Sequence, residues 1–280
     1  MKKKIILLIS VFFLLYGNAF TQVSSTIQDE QIFNQLLCSM VAHKDKTTAE
    51  LVVMCSKLLM NTPYTAHTLE IEPEHLVVNL REMDCTTFAE NCLAIAQTVK
   101  TRNPDFDTFT YQLKQIRYRN GQIKGYPSRL HYFSDWIYNN DQKMLVESLS
   151  KELVNTPYHK TINFMSKHPN SYPQLKNNTA YIQDLTKIEH QLTRSKLFYI
   201  PTEKLESIKH LLQDGDIFGI TTNIEGLDII HVGIIVFKND ELYFMHASTN
   251  AKKVVLSSQT LYKYLSERKT ANGIMVARPL

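Results

Sequence analysis

The sequence predicts an α+β fold, with N-terminal helices packed on a C-terminal antiparallel sheet. Three observations carry this expectation. Apolar residues recur at helical spacing through the first third of the chain. Five of the eight glycines (Gly215, Gly219, Gly226, Gly233, Gly273) lie after residue 214, where tight turns between strands would gather. Strand-like apolar runs then crowd the end of the chain, at 216–221, 228–237, 241–246, 253–256 and 273–278. With 280 residues, 44% hydrophobic and 21% charged, the composition is that of a globular protein. It excludes a disordered chain, a collagen and a polytopic membrane protein.

Lys2-Lys3-Lys4 is followed by an apolar run from Ile5 to Tyr16 and by the small residues Gly17-Asn18-Ala19. That run is too short to span a bilayer, which takes roughly 20 residues. Residues 1–19 therefore read as a secretory signal peptide, and the chain as exported, to the periplasm or otherwise outside the cytoplasm. Without the three lysines, 28 basic residues face 27 acidic ones. A chain so nearly neutral, with no basic stripe, is not expected to bind nucleic acid.

Residues 20–280 read as one domain. Ile32, Leu36, Leu37, Met40 and Val41 form one helical stripe, and Leu51, Val52, Cys55, Leu58 and Leu59 a second. Asn61-Thr62-Pro63-Tyr64 ends the second helix. Phe88, Ala89, Cys92, Leu93, Ile95, Ala96 and Val99 mark a third, with Asp84 as its N-cap and Cys85 in its first turn. The segment Thr108–Arg119 suits strand or helix, Asn120-Gly121 is a turn, and Ser128–Tyr138 reads as helix. A helical insertion is expected near 140–212. The turn at Lys238-Asn239-Asp240 predicts a hairpin, and a short helix is expected near 259–267.

Cys85 is the sharpest chemical feature. A thiol in a helix's first turn sits at the positive end of the dipole, which favours thiolate, beside unpaired N–H groups suited to an oxyanion. A nucleophilic thiol needs a base. His231, within the apolar run Asp228–Val236, is the candidate, since an imidazole inside a strand is costly unless paired. The hairpin would set His246 beside it as an orienting residue. Cys85 and Cys92 are too far apart along one helix for a disulfide. Cys38 and Cys55 could meet if their helices pack antiparallel, although free thiols are the preferred reading. No CxxC pair or HExxH motif calls for a metal, and no cofactor is implied.

Asp84-Cys85-Thr86-Thr87-Phe88, His231-Val232-Gly233 and His246-Ala247-Ser248 resemble the nucleophile, base and third-residue motifs of the NlpC-type papain-like cell-wall hydrolases. More closely, the chain resembles the exported bacterial N-acetylmuramoyl-L-alanine amidase-like family. That resemblance extends through Pro63-Tyr64, Leu69-Glu70, Leu80–Glu90, Arg129–Trp136, Asn163–Pro169 and Gly215-Asp216-Ile217. Asn61 and His67 stand where the family has glycines. The resemblance implies a papain-like fold, catalysis by Cys85, His231 and His246, and a cleft lined by Tyr64, Asp84, Arg129, His131 and Tyr132. It implies muropeptides as substrates, cut at the N-acetylmuramoyl–L-alanine amide. A γ-D-glutamyl–diamino acid endopeptidase and a non-catalytic muropeptide-binding protein are the alternatives. Arg129 is the expected contact for a substrate carboxylate.

Overall fold

The computed structural model describes residues 23–280, so the expected signal peptide at 1–19 lies outside the described residues. Helices come first, as the periodicity predicts. They are α1 (Ile27–Met40), α2 (Thr48–Leu58), α3 (Cys85–Lys100), α4 (Phe106–Arg117) and α5 (Phe133–Gln142). Capping boxes start α1, where Thr26 and Asp29 exchange hydrogen bonds, and α2, where Thr47 and Glu50 do so. Asp84 caps α3 through the Thr87 N–H.

After α6 (Thr179–Arg194) the chain builds the main strands of its sheet. The strands are β1 (Phe198–Pro201), β2 (Ile217–Thr222), β3 (Ile229–Lys238), β4 (Glu241–Ser248), β5 (Lys253–Leu256) and β6 (Ala271–Pro279), with α7 (Leu261–Ser266) before β6. The spatial order is β1-β6-β2-β3-β4-β5, and every neighbouring pair is antiparallel. The β3–β4 hairpin closes through Asn239 and Asp240, both at positive φ (52° and 60°), as a two-residue primed turn requires. That turn sets Lys238 opposite Glu241 and Ile234 opposite Met245.

Alternation divides the sheet between two cores. Val232, Ile234, Val236, Met245 and Ala247 pack with α1–α5, while Ile235, Leu242 and Phe244 pack with Leu261 and Leu265 of α7. A third cluster (Tyr126, Tyr132, Ile162, Met165, Leu175, Leu185, Leu192) holds α6 against the region before α5.

The structure settles one open local expectation and revises two. Thr108–Arg119 is mostly helix, started by the Asp105 carboxylate on the Thr108 N–H. The helix expected from Ser128 starts at Phe133, because the distant Asp228 carboxylate takes the Ser134 N–H and hydroxyl, both at 2.8 Å. The 140–212 segment is not only helical: Val146–Ser148, Thr156–Pro157 and β1 join the sheet. Runs of two to four residues carry no readable period. Among the cysteines, all four are free, with Cys38 exposed on α1 and Cys55 buried on α2. The Cys55 thiol instead meets Cys92 of α3.

Arg117 and Glu90 bind α4 to α3 through a 2.7 Å contact, each side chain only 2–3% exposed, and Arg117 also donates to the Val77 carbonyl at 2.6 Å. Burial raises the Glu90 pKa, and Arg117 opposes it. Removing one partner of such a pair strands the other's charge. Glu90→Ala is expected to lower unfolding free energy by about 3–5 kcal/mol in urea titration. A loss below about 1 kcal/mol would mean that Arg117 finds a new partner.

Candidate active site

Cys85 is the first residue of α3, and its side chain is half-buried. Burial pushes its thiol up to about 12, and the neighbouring Asp84 carboxylate adds to the rise. The N–H of Val232, the Thr86 hydroxyl and the N–H of Cys85 itself face the sulfur and pull the other way, without prevailing. The helix-start position alone suggests thiolate; desolvation overrides it, and the resting sulfur is a neutral thiol.

Val232 is the residue after His231, so its contact with Cys85 seats the start of α3 against the histidine strand. His231 pairs with Ile220 of β2, and His246 with Val255 of β5. The two imidazoles meet diagonally across the hairpin, Nε2 of His231 lying 2.7 Å from Nδ1 of His246 with the rings at 87°. Gly233 keeps this crossing compact, since a Cβ there would come within 2.7 Å of the Phe218 ring. Burial drives His231 down to about 3, helped by His246 and Arg268. His246 falls to about 4, through burial and then Arg268. Both are neutral at ordinary pH. Among the described residues no hydrogen bond joins Cys85 to His231; such contacts are often long before substrate binds.

Tyr64 is half-buried beside Cys85 and Asp84, and its hydroxyl pKa is raised first by burial and then by those two groups. Tyr264, on α7, was not among the sequence candidates. Burial raises its hydroxyl pKa, Arg268 opposes the rise and Cys85 adds to it, and its ring lies 6.4 Å from that of His231 and 5.9 Å from that of His246. The only signal for it in the sequence is the helical spacing of Tyr264 and Arg268.

The remaining candidates lie in other surroundings. Arg129 is 5% exposed and already committed: it donates to the Leu69 carbonyl and to Glu70 at 3.0 Å each, and lies 3.6 Å from Glu74. Its guanidinium also covers the Tyr126 ring at 4.9 Å. The Tyr132 hydroxyl donates to Glu189 at 2.7 Å and accepts the Met165 N–H at 2.9 Å, which ties α6 to the chain ahead of α5. His131 contacts the Tyr126 carbonyl at 2.9 Å and is driven to about 3, by burial and then by Arg129. These groups shape the wall behind the Leu69–Glu74 loop. Among the described residues, no group of three or more His, Cys, Asp or Glu is arranged to hold a metal, and no helix is long and apolar enough to cross a membrane.

The family profile described as AmiA-like, N-acetylmuramoyl-L-alanine amidase-like, matches residues 54–274 and so spans both Cys85 and the histidine hairpin. The chain belongs to that family. It is similar to a crystal structure of an N-acetylmuramoyl-L-alanine amidase from Bacteroides uniformis, at 37% identity and a TM-score of 0.80, covering 83% of this chain and 98% of the other. It is also similar to a Bacteroides fragilis protein described as a candidate xylanase, at 37% identity and TM-score 0.77, over 80% and 99% of the two chains. A Legionella pneumophila protein shares the fold at 21% identity and TM-score 0.67, over 90% and 95%. No curated protein matches the chain.

The raised thiol has a direct consequence. Iodoacetamide is expected to modify Cys85 more slowly than free cysteine at pH 7, with the rate climbing about tenfold per pH unit and no plateau below pH 10. Peptide mass spectrometry on a Cys38→Ser background, which removes the exposed thiol, measures it. A plateau near pH 7 would mean that a thiolate is already formed.

Proposed function

We propose that this protein is a cysteine-dependent amidase of peptidoglycan fragments, cutting the amide between N-acetylmuramic acid and L-alanine. The observation that carries the reading is Cys85 at the start of α3, seated against the Val232 N–H with the His231–His246 pair alongside. An N-terminal helix bearing the thiol, packed on an antiparallel sheet bearing the base, supports an NlpC-type papain-like placement. On this reading residues 20–280 form one catalytic domain, and the protein works outside the cytoplasm, as a cell-wall substrate requires.

The chemistry follows from neutral partners. His231 donates Nε2–H to His246 Nδ1, which leaves its Nδ1 unprotonated as the base. As the sulfur attacks the amide carbonyl, His231 takes the thiol proton, and the Cys85 N–H, which faces the sulfur and has no backbone acceptor among the described residues, stabilises the oxyanion. His231 then protonates the leaving amine, and water hydrolyses the thioester. A depressed imidazole and a raised thiol make proton transfer part of the attack instead of a prior equilibrium.

Bond choice rests on the family and the Bacteroides uniformis neighbour, because Cys85, His231 and His246 suit a γ-D-glutamyl bond equally. A xylanase reading has less support: glycoside hydrolysis works through two carboxylates flanking the bond, whereas the groups this reading rests on are a thiol and a pair of imidazoles.

Cys85→Ser and His231→Ala are each expected to abolish hydrolysis with circular dichroism unchanged, and full activity in either would remove the residue from the mechanism. His246→Ala should retain some turnover, down about 10²–10⁴-fold as for other orienting residues. Given an N-acetylmuramyl tetrapeptide, the enzyme should release free amino sugar and an intact peptide starting with L-alanine. Mass spectrometry of the products reads this directly. Peptide fragments retaining D-glutamate on the sugar side would move the enzyme to the endopeptidase class.

A further inference from the structure

Resting on the amidase reading, we propose that the pocket beside His246, closed by Tyr264 and Arg268, is a carboxylate subsite in which Arg268 binds the free carboxylate of the substrate's peptide. The pocket has a volume of about 510 Å³ and borders the catalytic centre through His246 and Tyr264. Its other walls are hydrogen-bonding groups from the β4–β5 turn and the loop after β5, including Ser248, Asn250, Ser257 and Gln259.

Arg268 is held for binding but has no anion. Its guanidinium lies 3.4 Å above the Tyr264 ring and donates one hydrogen bond, 3.2 Å, to the Tyr264 carbonyl. Stack and hydrogen bond fix the plane and leave an N–H edge for a carboxylate. Arg81, Arg117, Arg119, Arg129 and Arg278 each pair with a carboxylate of the chain. Among the described residues Arg268 does not; Arg102 and Arg194 also lack such a partner, but both are exposed, whereas Arg268 is half-buried against the pocket. The acid nearest in sequence, Glu267, also lines the pocket but points its charge at Lys263, 3.9 Å away. An unpaired cation here is costly, because it lowers the basicity of both histidines. A bound carboxylate would cancel that effect only when substrate is in place.

Direction of binding agrees. The acyl carbon must lie at Cys85, and the leaving amine must reach His231, so the peptide runs off on the histidine side. The Tyr264 ring lies 6.4 Å from the His231 ring, with the guanidinium 3.4 Å from Tyr264. At ~3.3–3.6 Å per extended residue, the carboxylate within reach belongs to about the second residue after the cut. In a stem peptide that residue is D-glutamate, whose α-carboxylate is free. The role that the sequence suggested for Arg129 thus falls to Arg268.

The test compares two muramyl peptides that differ only at the second residue, one with the free α-carboxylate and one with the carboxamide. Calorimetry on the Cys85→Ser protein measures their binding without turnover, and wild-type kinetics measure KM and kcat. The acid is expected to bind about tenfold or more tightly than the amide. In an added Arg268→Gln substitution that preference should vanish, and Arg268→Lys should restore part of it. A preference that survives Arg268→Gln, no preference in the parent protein, or an equal loss for both ligands would overturn the subsite. Absence of turnover in the wild type, with the acid preference intact in binding, would instead count against the amidase reading alone.

Discussion

The structure depends on the burial of α3. Every residue from Thr87 to Ala96 is buried, and only Cys85, Thr86, Gln97 and Lys100 of the helix reach solvent appreciably. A helix buried on nearly all sides has its position fixed from all sides. It lies against α2 through Cys55 and Cys92, against α4 through Glu90 and Arg117, and against the sheet through Val232. Asp29 adds a tie from α1 to the chain approaching the helix: wholly buried, it accepts the Leu80 N–H at 2.9 Å and Arg81 Nε at 3.1 Å. Burial raises its pKa, but the hydrogen bonds from Thr26, Leu80 and Arg81 outweigh that and hold the carboxyl below its usual range. The N-terminus of α3 is thereby held at the edge of the core, half-open, with little freedom to move relative to the histidine hairpin.

The same packing sets the charge state of the centre. Thiol and imidazoles are all pushed toward their neutral forms, because burial is the largest influence on each. Helix-start dipoles and nearby N–H groups favour thiolate, yet here they are weaker than desolvation. The arginines divide along similar lines. Arg117 and Arg129 are buried and balanced by acids of the chain, so they build the scaffold. Arg268 is half-buried, stacked and unbalanced, and so remains able to recognise an anion.

Much of this was legible in the sequence. The capped start of α3 at Asp84-Cys85, the strands of the C-terminal sheet and the hairpin bringing His231 to His246 follow from local signals: cap chemistry, apolar period and turn residues. Those signals are short-range, and the sequence alone determined them. The signs of the pKa shifts, the late start of α5 under Asp228, the capture of Arg129 by Glu70 and Glu74, the free Cys38 and the thiol contact between Cys55 and Cys92 were decided by tertiary structure. Each depends on groups brought together from distant parts of the chain, and on how much water their packing excludes. A sequence shows which residues can carry charge or donate a hydrogen bond. Only the packed chain decides which of them are already satisfied, as Arg129 is by Glu70 and Glu74.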